Sequence, residues 1–146
     1  MKKNIIQQID AIAIDQPQTV AYQLGTTQHT YADLKAASDR IAHFIQSQDL
    51  PAKAPVIIFG GQNFEMVATF LGAVKAGHAY IPVEQHSDPA RIKQIESVAT
   101  PATVLSWAGE TAIDVNMPVF AEPQLTDVIA NGATDYDASQ SVQGNE

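Results

Sequence analysis

The chain has 146 residues, no cysteine, 45% hydrophobic residues and a formal net charge of −8. That length supports one domain with a real core, and the missing thiols exclude disulfides, thiolate nucleophiles and cysteine metal sites. All eight Lys and Arg fall in residues 1–93, whereas residues 94–146 carry eight acids and no base, so a nucleic-acid partner, which needs clustered cations against phosphate, is not expected.

The acidic last third reads first as a solvated surface, with docking of a basic partner as the alternative. The opening stretch MKKNIIQQIDAIAID places Asp10 and Asp15 where a signal peptide would be apolar. No apolar run approaches the ~18 residues of a membrane span. The expectation is a cytoplasmic protein with no membrane insertion.

From Asn4 to Asp15, Ile5, Ile9 and Ile12 recur at helical spacing with Ile6 beside them. Asn4 is the candidate cap, and Pro17 closes the element. TVAYQLG then alternates and QHTY follows, which predicts a β-hairpin around Gly25, Thr26 and Thr27. In TYADL, Thr30 is a good N-cap, and Asp33 stands in for the acid of a capping box. Leu34, Ala37, Ile41, Phe44 and Ile45 form the apolar stripe of that helix, which ends by Leu50-Pro51.

Val56-Ile57-Ile58-Phe59 is a run of β-formers without alternation, as expected of a central strand in a parallel sheet. Gly60-Gly61 gives a tight exit into a helix over Asn63–Ala76. Its only charges, Glu65 and Lys75, sit at the ends that the helix dipole favours. Ala68, Gly72 and Ala76 make a small-residue stripe that admits a close neighbour. Phe64, Val67, Phe70, Leu71 and Val74 cover the rest, so the helix should be sandwiched. Gly77 suits a left-handed C-terminal cap. A strand over Ala79–Val83 starts at once, with Pro82 near its end or on an edge.

Asp88-Pro89 reads as N-cap and first-turn proline of a helix that points Ile92, Ile95 and Val98 at the core. ATVLSW, residues 102–107, is a further strand. A short strand at Met117–Phe120 and a turn or two of helix at Leu125–Ile129 complete the pattern. The alternation of helix and strand from 30 to 107 implies an α/β fold, a parallel sheet flanked by helices.

No residue stands out for chemistry. The histidines 29, 43, 78 and 86 lack metal-ligand spacing, and His78 reads as a local hydrogen-bonding group. Gly60-Gly61 lacks both phosphate-loop patterns, so a tight turn is the first reading and nucleotide contact the second. The serines form no nucleophile elbow. Asp135 and Asp137 lie in a polar stretch, and Tyr31, Tyr80 and Trp107 read as half-buried core aromatics.

Two stretches carry a resemblance. HTYADLKAASDRIAHFI is similar to the first core motif of the adenylate-forming enzymes. FLGAVKAGHAYIPVEQHSDPARI is similar to the second, with Pro89-Ala90-Arg91 shorter than the usual spacing or shifted. The form G-H-A-Y-I-P-V most resembles the branch that loads D-alanine onto a carrier protein for lipoteichoic acid D-alanylation. The resemblance implies an ATP- and Mg²⁺-dependent ligase that forms D-alanyl-AMP and passes the acyl group to a phosphopantetheine thiol. A branch activating another amino acid is the alternative within the family. A free-standing nucleotide-binding module or an acidic interaction module is the alternative outside it.

The resemblance also implies that residues 1–130 are a partial N-terminal subdomain and that residues 131–146 are a polar acidic loop or tail leading toward the phosphate loop. That Ser/Thr/Gly-rich loop and the later motifs are absent from the 146 residues. No catalytic, cofactor-binding or metal-binding residue is therefore assigned. The chain alone is expected to be inactive and to leave a strand edge and a helix face uncovered, which predicts marginal stability or self-association.

Overall fold

The computed structural model describes residues 5–88, 90–109, 113 and 115–142. Its elements are α1 (Ile5–Asp15), β1 (Val20–Leu24), β2 (Thr27–Thr30), α2 (Tyr31–Ser47), β3 (Val56–Gly60), α3 (Phe64–Ala76), β4 (Tyr80–Glu84), α4 (Ala90–Ala99), β5 (Thr103–Ser106), β6 (Val119–Phe120) and α5 (Glu122–Asn131). A single 3₁₀ turn follows at Ala138–Gln140. β1 and β2 form an antiparallel hairpin through Gly25, which has φ of 62°. The other four strands make one parallel sheet in the order β4-β3-β5-β6.

β3 is the central strand, as its unbroken apolar run requires, and it is buried at every residue. Alternate side chains serve opposite faces. Val56 and Ile58, with Leu105 of β5, pack on Ile41, Phe44 and Ile45 of α2, Met66 and Ala73 of α3, and Leu125 of α5. Ile57 and Phe59, with Val83 and Val104, pack on Ile92 of α4.

α2 starts as its sequence dictates. The Thr30 side chain accepts from Asp33 N at 3.1 Å, and Asp33 Oδ2 accepts from Thr30 N at 2.9 Å, a reciprocal capping box. α3 begins at its Asn63 cap and ends at Gly77, with φ of 99°. The small stripe on α3 lets α2 in: a Cβ on Gly72 would lie 2.5 Å from Ile41 Cγ2 and 3.0 Å from Ser38 O.

On α1 Ile6 and Ala13 are buried, and Ile9 and Ile12 are partly buried. One expectation needs correction. On α4 Ile92 is buried but Val98 is 84% exposed. Six residues from Ile92 is 600° of helical rotation, which points Val98 away from the sheet. Lys75 lies in the last turn of α3, as expected. It is fully buried, with three partners. Asn4, the Ile5 side chain and Pro89 lie outside the described residues. α5 runs longer than the one or two turns expected, because Leu125, Val128 and Ile129 reach the α2 layer.

Residues 133–142 contain little regular structure, yet they pack against the body. Gln46 exchanges two hydrogen bonds with the Asp137 backbone, at 3.0 and 2.8 Å. Ser141 Oγ donates to Lys75 O at 2.6 Å, and Val142 N donates to Val74 O at 2.9 Å. Ser141 thus reaches a carbonyl in the last turn of α3, and Val142 adds a second donor to Val74 O, which also accepts from Gly77 N.

Candidate functional site

Three features of this body merit weighing as a site. The first is a groove of about 480 Å³ between α3 and β4, reaching the loop after β3. It lies at the carboxyl end of the parallel strands, where open α/β sheets bind ligands. Tyr22, Met66, Val67, Phe70 and Pro82 supply an apolar lining, and Gly60–Asn63 and Glu84 close one end.

The glycine pair in that loop is explained by packing. A Cβ on Gly60 would sit 2.8 Å from Met66 Sδ and 3.1 Å from Trp107 Cβ, and one on Gly61 would meet Gln85 Nε2 at 2.8 Å. Neither glycine has positive φ. Asn63 Oδ1 already accepts from Met66 N at 3.0 Å. Among the described residues Glu84 is the one charged residue in the lining, so they offer no cation to a phosphate there.

The second feature is a cavity of about 500 Å³ at the opposite end of the sheet. Asp49, Lys53, His78, Asp137 and Ser139 line it. The Ser139 hydroxyl and backbone N–H, with Gln140, hold the Asp137 carboxyl below its ordinary value. His78 Nδ1 donates to Ala54 O at 2.7 Å, tying the start of β4 to the loop before β3. A carbonyl only accepts, so that nitrogen carries the proton. The role of that nitrogen is local and structural.

The third feature is the polar cluster inside the α1–α2–α3 layer. Lys75 Nζ donates to Asp10 Oδ1 at 3.0 Å, Ser38 Oγ at 2.9 Å and Asp39 Oδ1 at 2.8 Å, which uses all three ammonium hydrogens. Lys35 holds the other Asp39 oxygen at 2.7 Å. Burial lowers the Lys35 pKa, but the hydrogen bond and charge of Asp39 outweigh it and raise the value. The Tyr136 ring lies 5.9 Å from Lys75 Nζ. Burial, then the charges of Asp39 and Asp10, push the Tyr136 phenol up to about 12. The ammonium hydrogens are saturated, which suits a structural tie rather than a reacting group.

The helical row puts Lys75 on the same side of α3 as Ala68 and Gly72, but nothing local to α3 names its partners Asp10 and Asp39. Trp107, expected to be half-buried, is buried and donates from Nε1 to Thr69 Oγ1 at 2.7 Å. Tyr80 sits on the surface, stacked on Phe70 at 4.6 Å between ring centroids.

Among the described residues no group of three or more His, Asp or Glu could hold a metal ion. Magnesium takes oxygen ligands and usually shares them with substrate phosphates. These residues therefore do not fit a magnesium nucleotide by themselves. No described helix is long and apolar enough to cross a membrane.

Comparison with known proteins adds a family signal that the geometry alone lacks. A family model described as AMP-binding enzyme matches residues 9–145. D-alanine–D-alanyl carrier protein ligase of Lactiplantibacillus plantarum is 46% identical over 146 residues, which is 100% of this chain and 28% of that protein. The protein of the same name from Streptococcus pneumoniae is 37% identical over 143 residues, 98% of this chain and 28% of its own length. Among solved structures, Klebsiella oxytoca NpsA in complex with 3-hydroxyanthranilyl-AMSN superposes with a TM-score of 0.79 at 21% identity, over 94% of this chain and 28% of that one. The fold is thus shared, and the chain spans little more than a quarter of the length of the relatives it matches.

Proposed function

Because the chain belongs to the AMP-binding enzyme family, we propose that it forms the N-terminal α/β part of an ATP- and Mg²⁺-dependent ligase that activates D-alanine as its adenylate and transfers it to the phosphopantetheine thiol of a carrier protein. The observation that carries this reading is the 46% identity to a ligase of that name along all 146 residues. In this reading the chain provides a scaffold, and the groups that stabilise phosphate charge come from the remaining length. In this reading the reaction takes place in the cytoplasm, where ATP and amino acids are at hand.

Joining residues 1–146 to the rest of the L. plantarum relative, in place of its own matched stretch, tests the reading. The joined protein should load D-alanine onto the carrier thiol in preference to L-alanine, as read by mass spectrometry of the carrier. A soluble, folded joined protein that loads neither would overturn it. Preferential loading of another amino acid would move the chain to a different branch of the family.

A further inference from the structure

His78 is 6% exposed, and its bond to Ala54 O uses Nδ1 alone. In the neutral ring Nε2 is then a hydrogen-bond acceptor. No described residue donates to it. A polar nitrogen left dry and unpaired is costly, and among the described side chains the one such atom is Arg40 Nε. His78 Nε2 therefore keeps contact with open space. The open space that His78 lines is the cavity of about 500 Å³ at the amino-terminal end of the parallel strands.

The rest of the lining suits the same kind of guest. Asp49 contributes a carboxylate that no described donor occupies. Asp137 contributes another, although Ser139 and Gln140 already give it three hydrogen bonds. Lys53 is the one cation among the described lining residues, so the two carboxylates outnumber it. Ile45, Leu50 and Ala76 add apolar wall. Open acceptors, excess negative charge and a short apolar wall together match a cationic donor on a hydrocarbon stem.

Both walls are set by the protein's own bonds. On one side the Gln46 amide holds the Asp137 backbone, and Ser141 Oγ donates to Lys75 O. A Cβ on Gly77 would collide with Gln140 O, so this segment sits directly on the end of α3. On the other side Asp49 N donates to Gln46 O at 3.3 Å and Ala54 N to Pro51 O at 3.1 Å. A preformed cavity loses little order on binding.

We propose that this cavity binds a small aliphatic primary amine, whose ammonium donates to His78 Nε2 and to the Asp49 carboxylate while its stem lies along Ile45, Leu50 and Ala76. The site stands at the opposite end of the sheet from the groove after β3 and does not depend on the ligase reading.

The probe is n-butylamine, titrated at about pH 8, where an alkylamine is charged. Butanoate and 1-butanol at matched ionic strength are the comparisons. Nitrogen-15 NMR follows the four histidine side chains in the 146-residue chain and in the joined protein. The His78 Nε2 resonance should move and saturate with the amine, while those of His29, His43 and His86 stay. His78→Asn keeps an N–H near the Nδ1 position and removes Nε2. It should weaken amine binding at least about 10-fold, as loss of a hydrogen bond to a charged group does. Asp49 has φ of 55°, which Asn also adopts. Asp49→Asn should weaken binding about 3-fold, because that carboxylate is exposed.

A His78 resonance that stays fixed through about 10 mM amine overturns the proposal. An equal response to butanoate or 1-butanol also overturns it, because the ammonium would not be what is recognised. Unchanged affinity in both variants does the same. Where His78→Asn does not fold, the parent resonance and Asp49→Asn decide. Binding by the chain that vanishes in a folded joined protein rejects the site as well, because the cavity would then be closed.

Discussion

The two faces of the parallel sheet are covered very differently. One carries α2, α3 and α5, an apolar cluster from Ile41 to Leu125, and the Lys75 tie to α1. The other carries α4, on which Ile92 is the buried residue and Val98 stands 84% exposed. The same central strand feeds both, since Val56 and Ile58 face one side and Ile57 and Phe59 the other. The difference teaches that the first face holds the chain's own cohesion, with a polar tie buried in it. The second is covered by α4 together with Ala108, Ile113, Val115 and Met117 of the segment after β5.

The sharpest way to break that contrast is at Lys75. Lys75→Met leaves the Asp39 and Asp10 carboxylates without their shared cation, and removing one partner of a buried pair costs about 3–5 kcal/mol. Urea unfolding should show that loss. Adding Asp39→Asn should restore part of it, because the unpaired charge goes with it. A loss below about 1 kcal/mol would mean the pair behaves as an exposed one.

Next in size is the seam between α2 and α3. Gly72→Val drives a side chain into Ile41 and the Ser38 carbonyl, and overpacking of that kind costs about 1–3 kcal/mol. The midpoint of urea unfolding should fall with the slope unchanged. An unchanged midpoint would show that the helices separate freely.

The third effect appears only in alkali. Tyr136, held up to about 12, keeps its proton above the ordinary phenol value of 10.0. Ionisation therefore favours the unfolded chain. The contribution is complete below pH 10 and is lost between 10 and about 12. Tyr136→Phe should remove the last phenolate step in an ultraviolet titration and flatten the fall in stability across that window.

The smallest effect belongs to the thin face. Val98→Ser should stay within about 0.5 kcal/mol of the parent, as exposed substitutions do. A larger loss would mean that α4 is covered by more than the described residues provide.

The regular elements of this fold were legible because local signals agreed with the tertiary structure. The Thr30–Asp33 box, the unbroken β3 run, the Asn63 and Gly77 ends of α3 and the alternation of elements each had a local cause. The Val98 expectation failed on phase, because six residues beyond Ile92 the helix has turned about 240° past a full rotation. Lys75 and Tyr136 were not legible because their partners lie 65 and 36 residues away on α1 and α2, or 61 apart from each other, and no local pattern records such pairing. The groove left little trace in the sequence because it is built from packing residues of several elements, with no local motif to mark it. The groove is apolar, and its glycines serve packing.

The most direct test of the account is ATP–pyrophosphate exchange, run side by side on the 146-residue chain and on the same chain joined to the remainder of the L. plantarum relative. The account predicts D-alanine-dependent exchange from the joined protein and background from the chain alone. Exchange by the chain alone, or none from a folded joined protein, would contradict it.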